Sequence, residues 1–293
     1  MSVPPGGIEP DFGPPLGLAS RPVKPAETPV REDVSDADAP PSILTKAFDL
    51  LRAFNFNERV MTLTELAHAS GLPKSTVHRL LARLIELGAV EHHRGSYKIG
   101  IEIFRLGVTS PVSSMRDAAS SHLAALHRQT GQNVHLAVLR QHEVVLLERL
   151  SVQRVWSPLF GVGGRLPAQC TALGKAMLAF EDPADLRATL PDPMPRLTAT
   201  SIKDVAVLLR ELAEVRRAGV ARQCGQVQPG LACTAVPLMV NGAAVGAISI
   251  SAVGVGDVDR RHDAALRATG ALVEREVFER LTQGRMHWFP KEM

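Results

Sequence analysis

Residues 62–100 read TLTELAHASGLPKSTVHRLLARLIELGAVEHHRGSYKIG. Thr62 and Glu65 have the spacing of a capping box, in which the hydroxyl accepts an orphan amide and the carboxylate reaches back to the cap. A short helix follows, predicted to turn Leu63, Leu66 and Ala67 inward, the small Ala67 letting a second helix cross closely. Gly71 stands where that helix must end in a left-handed residue, a conformation without steric cost for glycine. Pro73 is expected at the first position of the next helix, where its missing N–H would be unpaired anyway. That second helix carries Val77, Leu80, Leu81, Leu84 and Leu87 at spacings of three and four. Gly88 ends it, and residues 90–99 read as a hairpin tipped by His93, Arg94 and Gly95, with Tyr97 and Lys98 on the returning strand. Two helices across a tight glycine turn, followed by a hairpin, predict a winged helix-turn-helix that lays its second helix in the major groove of duplex DNA.

Lys74, Ser75, Thr76, His78 and Arg79 crowd the exposed start of the second helix and, with Thr64, form the candidate DNA-contacting set. Arg or Lys can pair with guanine edges there, while Ser and Thr can meet phosphate or base. Arg94 and Lys98 are assigned to phosphate or to a minor groove. A solvated basic helix face is the plain alternative for the two helices alone; the hairpin behind them favours DNA.

Composition bounds the rest. The 293 residues suffice for two domains. A net charge of +3 leaves no uniformly basic surface, so nucleic-acid contact has to come from a local patch, which residues 74–98 supply. Aromatic residues make up 4% with a single Tyr, which argues against a platform for stacked single-stranded bases. Cys170, Cys224 and Cys233 form no C-x-x-C pair, and no His stands at zinc-ligand spacing, so reduced thiols, no metal and no cofactor are expected. No charged leader precedes an apolar stretch and no apolar run reaches membrane-spanning length. The expectation is a cytoplasmic chain with no membrane partner.

Residues 1–41 are rich in Pro, Gly, Asp and Ala and read as a disordered tail. A helix over 43–54 is predicted to turn Leu44, Ala47, Phe48, Leu51 and Phe54 inward, completing a winged-helix domain over 42–107. A linker helix over 113–130, within 108–131, is apolar at Met115, Ala118, Leu123 and Leu126 and stopped by Gly131; such a helix is commonly a rigid spacer or a dimer contact. The second domain, 132–284, begins with strands at 133–140 and 144–150, then a Gly-rich loop over 161–165. Helices follow at 172–180, 182–190 and 202–218, and a strand at 220–224. Residues 231–240 and 243–253 are expected to form a hairpin about Asn241-Gly242. A helix over 257–283 and a short tail, 285–293, close the chain. The fold class is α+β, with an antiparallel sheet covered on one side.

These pieces together resemble the IclR family of bacterial transcriptional regulators. The resemblance runs from about Ile43 to Gln283 and is carried by GLPKSTVHRLL (71–81), LPAQCTALGKAMLA (166–179), GLACTAVPL (230–238) and AISIS (247–251), in that order. It implies a winged-helix reader joined to a GAF-like effector domain, acting as a dimer or tetramer on palindromic operator DNA. It further implies a small organic or aromatic acid as effector, and a pocket lined by Ala172, Leu173, Leu231, Cys233, Ser249 and Ser251. Backbone amides near a helix start and paired hydroxyls would suit a carboxylate. Between Cys224 and Gly230 the chain has GQVQP where the family commonly carries acidic residues, so Gln226 and Gln228 bring no charge.

The register of the last hairpin leaves an alternative open. A strict two-residue turn at Asn241-Gly242 puts Ser249 opposite Thr234 and on a different face from Cys233; a bulge or a longer loop restores a shared face. Ser249 and Ser251 also alternate with Ile248 and Ile250 as on any half-buried strand. Lys175 in ALGKA invites a phosphate-loop reading, but Gln169 and Ala176 stand where that loop needs Gly and Ser or Thr. The GVGDVD run from Gly254 has Asp259 where a dinucleotide motif needs its last Gly. A competing class is an enzyme with Cys170 or Cys233 as nucleophile and His122, His127 or His135 as base, for which no activating partner is evident. A third is an architectural DNA-binding protein without ligand. The expected mechanism is linkage: an effector that prefers one dimer geometry, most simply as a repressor's inducer, resets the spacing of the two reading helices against half-sites roughly 34 Å apart.

Overall fold

The computed structural model describes residues 42–55, 58–151, 160–254, 260–284 and 286. The terminal segments (except Ser42 and Met286) and the run following Gly254 lie outside these residues. Leu50, Leu66, Val77, Leu81 and Val90, all essentially without solvent contact, centre the core of the first part. They come from α1 (Ile43–Ala53), α2 (Leu63–Ser70), α3 (Lys74–Glu86) and a small sheet. The sheet orders β1 (Val60–Thr62), β3 (Ser96–Ile99) and β2 (Val90–His93) side by side, all antiparallel. The capping box forms, with the Thr62 amide donating to Glu65 Oε2 at 2.7 Å. Gly71 takes φ 67°, and the wing turns through Arg94 and Gly95, both at positive φ as a two-residue hairpin turn requires.

Several details differ from expectation. Leu50 is the wholly buried residue of α1, whereas Leu44 and Phe48 are 70% and 57% exposed. At about 100° per residue Phe48 is rotated off the Ala47–Leu51–Phe54 arc, and Leu44 lies in the first turn, beyond the small core. Pro73 is the N-cap of α3, one residue ahead of the first helical position. Leu87 caps the far end and is 62% exposed, because the helix stops before it could turn inward. β1 is three residues long, too short for periodicity to reveal.

Beyond α4 (Ile101–Gly107), the second part is built on a six-stranded antiparallel sheet. Its order is β6 (Arg165–Pro167), β5 (Glu143–Leu150), β4 (Asn133–Arg140), β9 (Ala243–Val253), β8 (Leu231–Val240), β7 (Ala221–Cys224). Helices cover both faces, not one. On the first face α5 (Pro111–Thr130) and α9 (Asp263–Thr282) press Met115, Leu123, Leu266 and Val273 onto Leu136 and Ile248. On the second, α6 (Ala172–Leu178), α7 (Pro183–Thr189) and α8 (Val205–Ala218) meet small residues, among them Ala137, Ala235 and Ala247. The central strands read as near-continuous apolar runs, which is what burial on both faces demands. The linker helix α5 is thus part of this core and not a free spacer. α7 and α8 begin later than expected, at positions set by the caps Asp182 and Asp204. α9 begins at Asp263, behind a short 3-10 turn at Arg260–His262.

Two bulges shape the sheet. The Asn241-Gly242 turn is tight, with Val240 opposite Ala243, but the pairing slips by one between Leu238 and Met239 and leaves Val245 extra. Between β4 and β5 the same slip leaves Leu147 extra.

Candidate nucleic-acid interface and ligand pocket

At the start of α3, Lys74, Ser75, His78 and Arg79 face solvent and Thr76 is half-buried, while Val77 and Leu80 anchor the helix beneath them. Thr64 is exposed on α2. Arg94 stands at the exposed wing tip. Lys98 is engaged, its Nζ 2.8 Å from Glu91 Oε2 across the hairpin. That bond holds the Glu91 carboxyl below its ordinary range. The surface offers donors of positive charge and hydroxyls at one helix end, with one of its two wing cations partly neutralised.

The pocket lies between the second face of the sheet and α6, in a cavity of about 700 Å³ including its open mouth. All six residues assigned from the resemblance, Ala172, Leu173, Leu231, Cys233, Ser249 and Ser251, line it. The bulge at Val245 is why: it sets Ser251 opposite Cys233 and Ser249 opposite Ala235, so the serines and the cysteine share one face. Polarity is concentrated in two rungs running across the strands. One is Gln223, Cys233, Ser251, Asn133; the other is Ala235, Ser249, His135, Arg149. The next rung, Ala247, Ala137 and Leu146, is apolar.

Asn133, His135, Arg149 and Gln223 were not singled out as pocket residues from the sequence. The Leu147 bulge hides Arg149. With strict pairing from Arg140 and Glu143, Glu148 would oppose His135 and enter the pocket. The extra residue instead sends Glu148 to the other face, where its Oε2 lies 2.8 Å from Arg116 Nε, and brings Arg149 in. One bulge therefore sets the sign of the pocket's charge.

Arg149 Nη2 donates to Ser151 Oγ at 3.3 Å, and Ser151 Oγ donates to Asn133 Oδ1 at 2.8 Å. Its Nε and Nη1 are buried and have no hydrogen-bond partner among the described residues. Partial burial therefore pulls the guanidinium below its ordinary pKa. Burial, and then the Arg149 charge, pull His135 down to about 4, so the imidazole is neutral; Ser249 Oγ lies 3.5 Å from its Nδ1. Cys233 is pushed up to about 12, chiefly by burial, and Cys170 is raised for the same reason. Neither thiol is an activated nucleophile.

Beneath the pocket, Lys175 is fully buried, its Nζ donating to Glu211 Oε1 at 2.5 Å and to the Arg222 carbonyl at 3.0 Å. It ties α6 to α8 and β7. Gly174 admits no side chain, since a Cβ there would sit 2.2 Å from the Ala168 carbonyl oxygen. The start of α6 is already capped, the Thr171 hydroxyl accepting from Gly174 N at 2.8 Å, and the helix is only seven residues long. Among the described residues no cluster of three or more His, Cys, Asp or Glu could hold a metal, and no helix is long and apolar enough to cross a membrane.

Comparison with known proteins bears on both regions. A family model described as the IclR helix-turn-helix domain matches residues 43–94, and one described as bacterial transcriptional regulator IclR C-terminal matches residues 111–270. The HTH-type transcriptional regulator XynR of Escherichia coli (strain K12) is 30% identical over 198 residues, 66% of this chain and 78% of that protein. The HTH-type transcriptional regulator BhcR of Paracoccus denitrificans (strain Pd 1222) is 30% identical over 237 residues, 79% of this chain and 83% of that one. Among solved structures, an IclR homologue from Microbacterium hydrocarbonoxydans, complexed with 4-hydroxybenzoate, superposes with a TM-score of 0.73 at 27% identity, covering 80% of this chain and 99% of that chain. A basic helix start exposed to solvent and an open-mouthed pocket are thus carried on one chain that both family models match, and the chain belongs to the IclR family of ligand-responsive, DNA-binding transcriptional regulators.

Proposed function

We propose that this regulator is a cytoplasmic repressor that holds a palindromic operator as a homodimer or homotetramer and lets go when a small organic or aromatic acid fills the pocket. The observation that carries the reading is the joining, in one chain, of an exposed Lys74-to-Arg79 helix start and a roomy, mostly apolar cavity. Lys74, Ser75, Thr76, His78 and Arg79, with Thr64, are assigned to the major groove, and Arg94 and Lys98 to the flanking backbone. Ala172, Leu173, Leu231, Cys233, Ser249 and Ser251 are assigned to the effector. The domain limits stay at 42–107 for the reader and 132–284 for the effector domain, with the helix between them packed on the latter. Self-association is supported by apolar side chains left more than half exposed, notably Ile43, Leu44 and Phe48 on α1 and Ile101, Phe104 and Leu106 on α4. An aromatic acid is supported by the 4-hydroxybenzoate bound to the Microbacterium homologue. A binding protein is favoured over an enzyme because desolvation raises both thiols of the competing reading, the buried Cys170 and the half-buried Cys233, which holds them protonated.

The test is gel-shift and footprinting on the DNA upstream of the protein's own gene at low ionic strength, with transcription in vitro giving the sign of regulation. Arg79→Ala is expected to weaken operator binding on the order of 10- to 100-fold, as loss of a base contact does, and to leave the melting temperature unchanged. Equal affinity of variant and wild type contradicts the assignment of Arg79. A wild-type protein that ignores this DNA contradicts the function.

A further inference from the structure

We propose that Arg149 is the group that takes the anionic end of the effector, making the pocket selective for apolar monocarboxylates over their neutral isosteres. The inference rests on the reading of this cavity as the effector site and goes beyond it by naming a residue and a chemistry. A buried donor without a partner is uncommon in a folded protein, and a buried charge without one is more so. Arg149 has two such donors, Nε and Nη1, unpaired among the described residues. Its one hydrogen bond goes to a neutral hydroxyl, Ser151 Oγ, at the long distance of 3.3 Å. Among the described residues no Asp or Glu lines the cavity, and the nearest acid in sequence, Glu148, is committed to Arg116 on the opposite face of the sheet.

The guanidinium fork matches a carboxylate, whose two oxygens can accept two parallel N–H bonds. Among the described residues of the wall Arg149 is the one ionised side chain: the His135 ring and the Cys233 thiol beside it are neutral. A single positive charge is matched by a monoanion, and a dianion would leave a buried negative charge unpaired. Leu146, Phe160, Leu166, Leu173 and Leu231 present an apolar surface for the body of the ligand. A site at the start of α6 is disfavoured, since Thr171 already occupies an amide there and the helix is short.

The experiment uses the full-length wild-type protein, Arg149→Met and Arg149→Lys. A panel of monocarboxylates from butyrate to 4-hydroxybenzoate and naphthoate is tested, each beside its primary amide, by thermal shift and titration calorimetry. At least one acid is expected to raise the wild-type melting temperature where its amide does not. Arg149→Met should melt at or above the ligand-free wild type, because two buried donors without a partner among the described residues have gone. It should bind the best acid on the order of 10- to 100-fold more weakly, and treat acid and amide alike. Arg149→Lys should keep the preference for the acid at reduced affinity. The inference is overturned if no acid stabilises the wild type, if amides bind as well as acids, or if Arg149→Met keeps the wild-type preference. Operator binding by the wild type is read in the same samples: release by a neutral compound sinks this inference and leaves the regulator intact, whereas absence of any operator complex sinks the regulator and leaves the acid-against-amide comparison standing.

Discussion

The reader and the pocket of this chain are built in opposite ways. The reader's side chains project from one helix whose limits are written locally, in a capping box, a glycine at φ 67° and an apolar stripe at spacings of three and four. Its groups face solvent, so each can change without disturbing the core. The pocket takes its polar groups from five strands, β4, β5, β7, β8 and β9, and two single-residue bulges decide which of them face inward. Its groups are buried, so their alteration reaches stability as well as binding. Binding determinants that follow a helical period can be read residue by residue; determinants that depend on strand register cannot be read until the bulges are placed.

The sharpest contrast is with Gly174 on α6, next in the chain to the lining residue Leu173. A Cβ at this position meets backbone atoms of Ala168 at 2.2 and 2.4 Å, and backbone cannot swing aside as a flexible side chain can. Gly174→Val is expected to destabilise by about 3 kcal/mol or more, as overpacking at a tight backbone contact does, and to yield little soluble protein. Chemical denaturation beside Ser75→Ala, a solvent-facing change expected to leave the midpoint unmoved, measures the difference. Equal midpoints would remove the distinction between the two regions.

Deletion of Val245 tests the register directly. Because this is the extra residue of the bulge, its removal leaves Leu238 opposite Gly246 and Ser251 opposite Cys233. The expected cost is that of one buried valine, about 1.5–3 kcal/mol, with ligand stabilisation retained. A deletion in a central strand would otherwise turn every following side chain to the wrong face. Loss of the ligand response in a protein that still melts cooperatively would show that the bulge does more than set register.

The same two features mark where the sequence was legible. The order of the longer helices and strands and the reader's helices were open to reading, and the six residues carried over with the family motifs do line the cavity, whereas β1, α4 and β6 were not anticipated. Leu44 and Phe48 were not placed correctly, because a short helix at the edge of a small core leaves several equally apolar arcs and only packing chooses Leu50. The covering of the sheet on both faces was missed although Leu136-Ala137-Val138-Leu139 is continuously apolar. Arg149 was missed for a stronger reason. No register was assigned to the first pair of strands, and the charge of the pocket depends on it: the structure starts from Arg140 opposite Glu143, a register that kept strictly would admit Glu148, and only the extra Leu147 brings Arg149 in.

His135 offers a measure of how deeply that buried rung differs from the reader's exposed histidines. Its folded pKa is lowered to about 4 from an ordinary 6.5, by burial and by Arg149. Between those values the unfolded chain binds a proton that the folded chain does not, so stability is lost as pH falls through this window. From pH 7 to pH 5 the group should account for about 2 kcal/mol. His135→Leu should flatten the dependence of the urea midpoint on pH by that amount. An unchanged slope in His135→Leu would mean that this imidazole is not held neutral by its surroundings.

The smallest effect belongs to the wing, and it tests whether the reader's surface groups are as independent as their exposure suggests. Lys98 and Glu91 are both well exposed, and their pair is of the kind that contributes little to stability. Glu91 nevertheless takes charge from a residue assigned to the DNA backbone. Glu91→Gln frees Lys98, so binding to non-specific duplex should tighten a few-fold and the slope of log affinity against log salt should steepen by about one counterion. The melting temperature should hardly move. Lys98→Ala made in the Glu91→Gln background should return the slope to its wild-type value, because the cation released is the cation removed. If instead Glu91→Gln weakens binding, the carboxylate's other bond, from the Ile101 amide at 3.3 Å, sets the wing's position. The reader would then share with the pocket a dependence on contacts that no local pattern in the sequence announces.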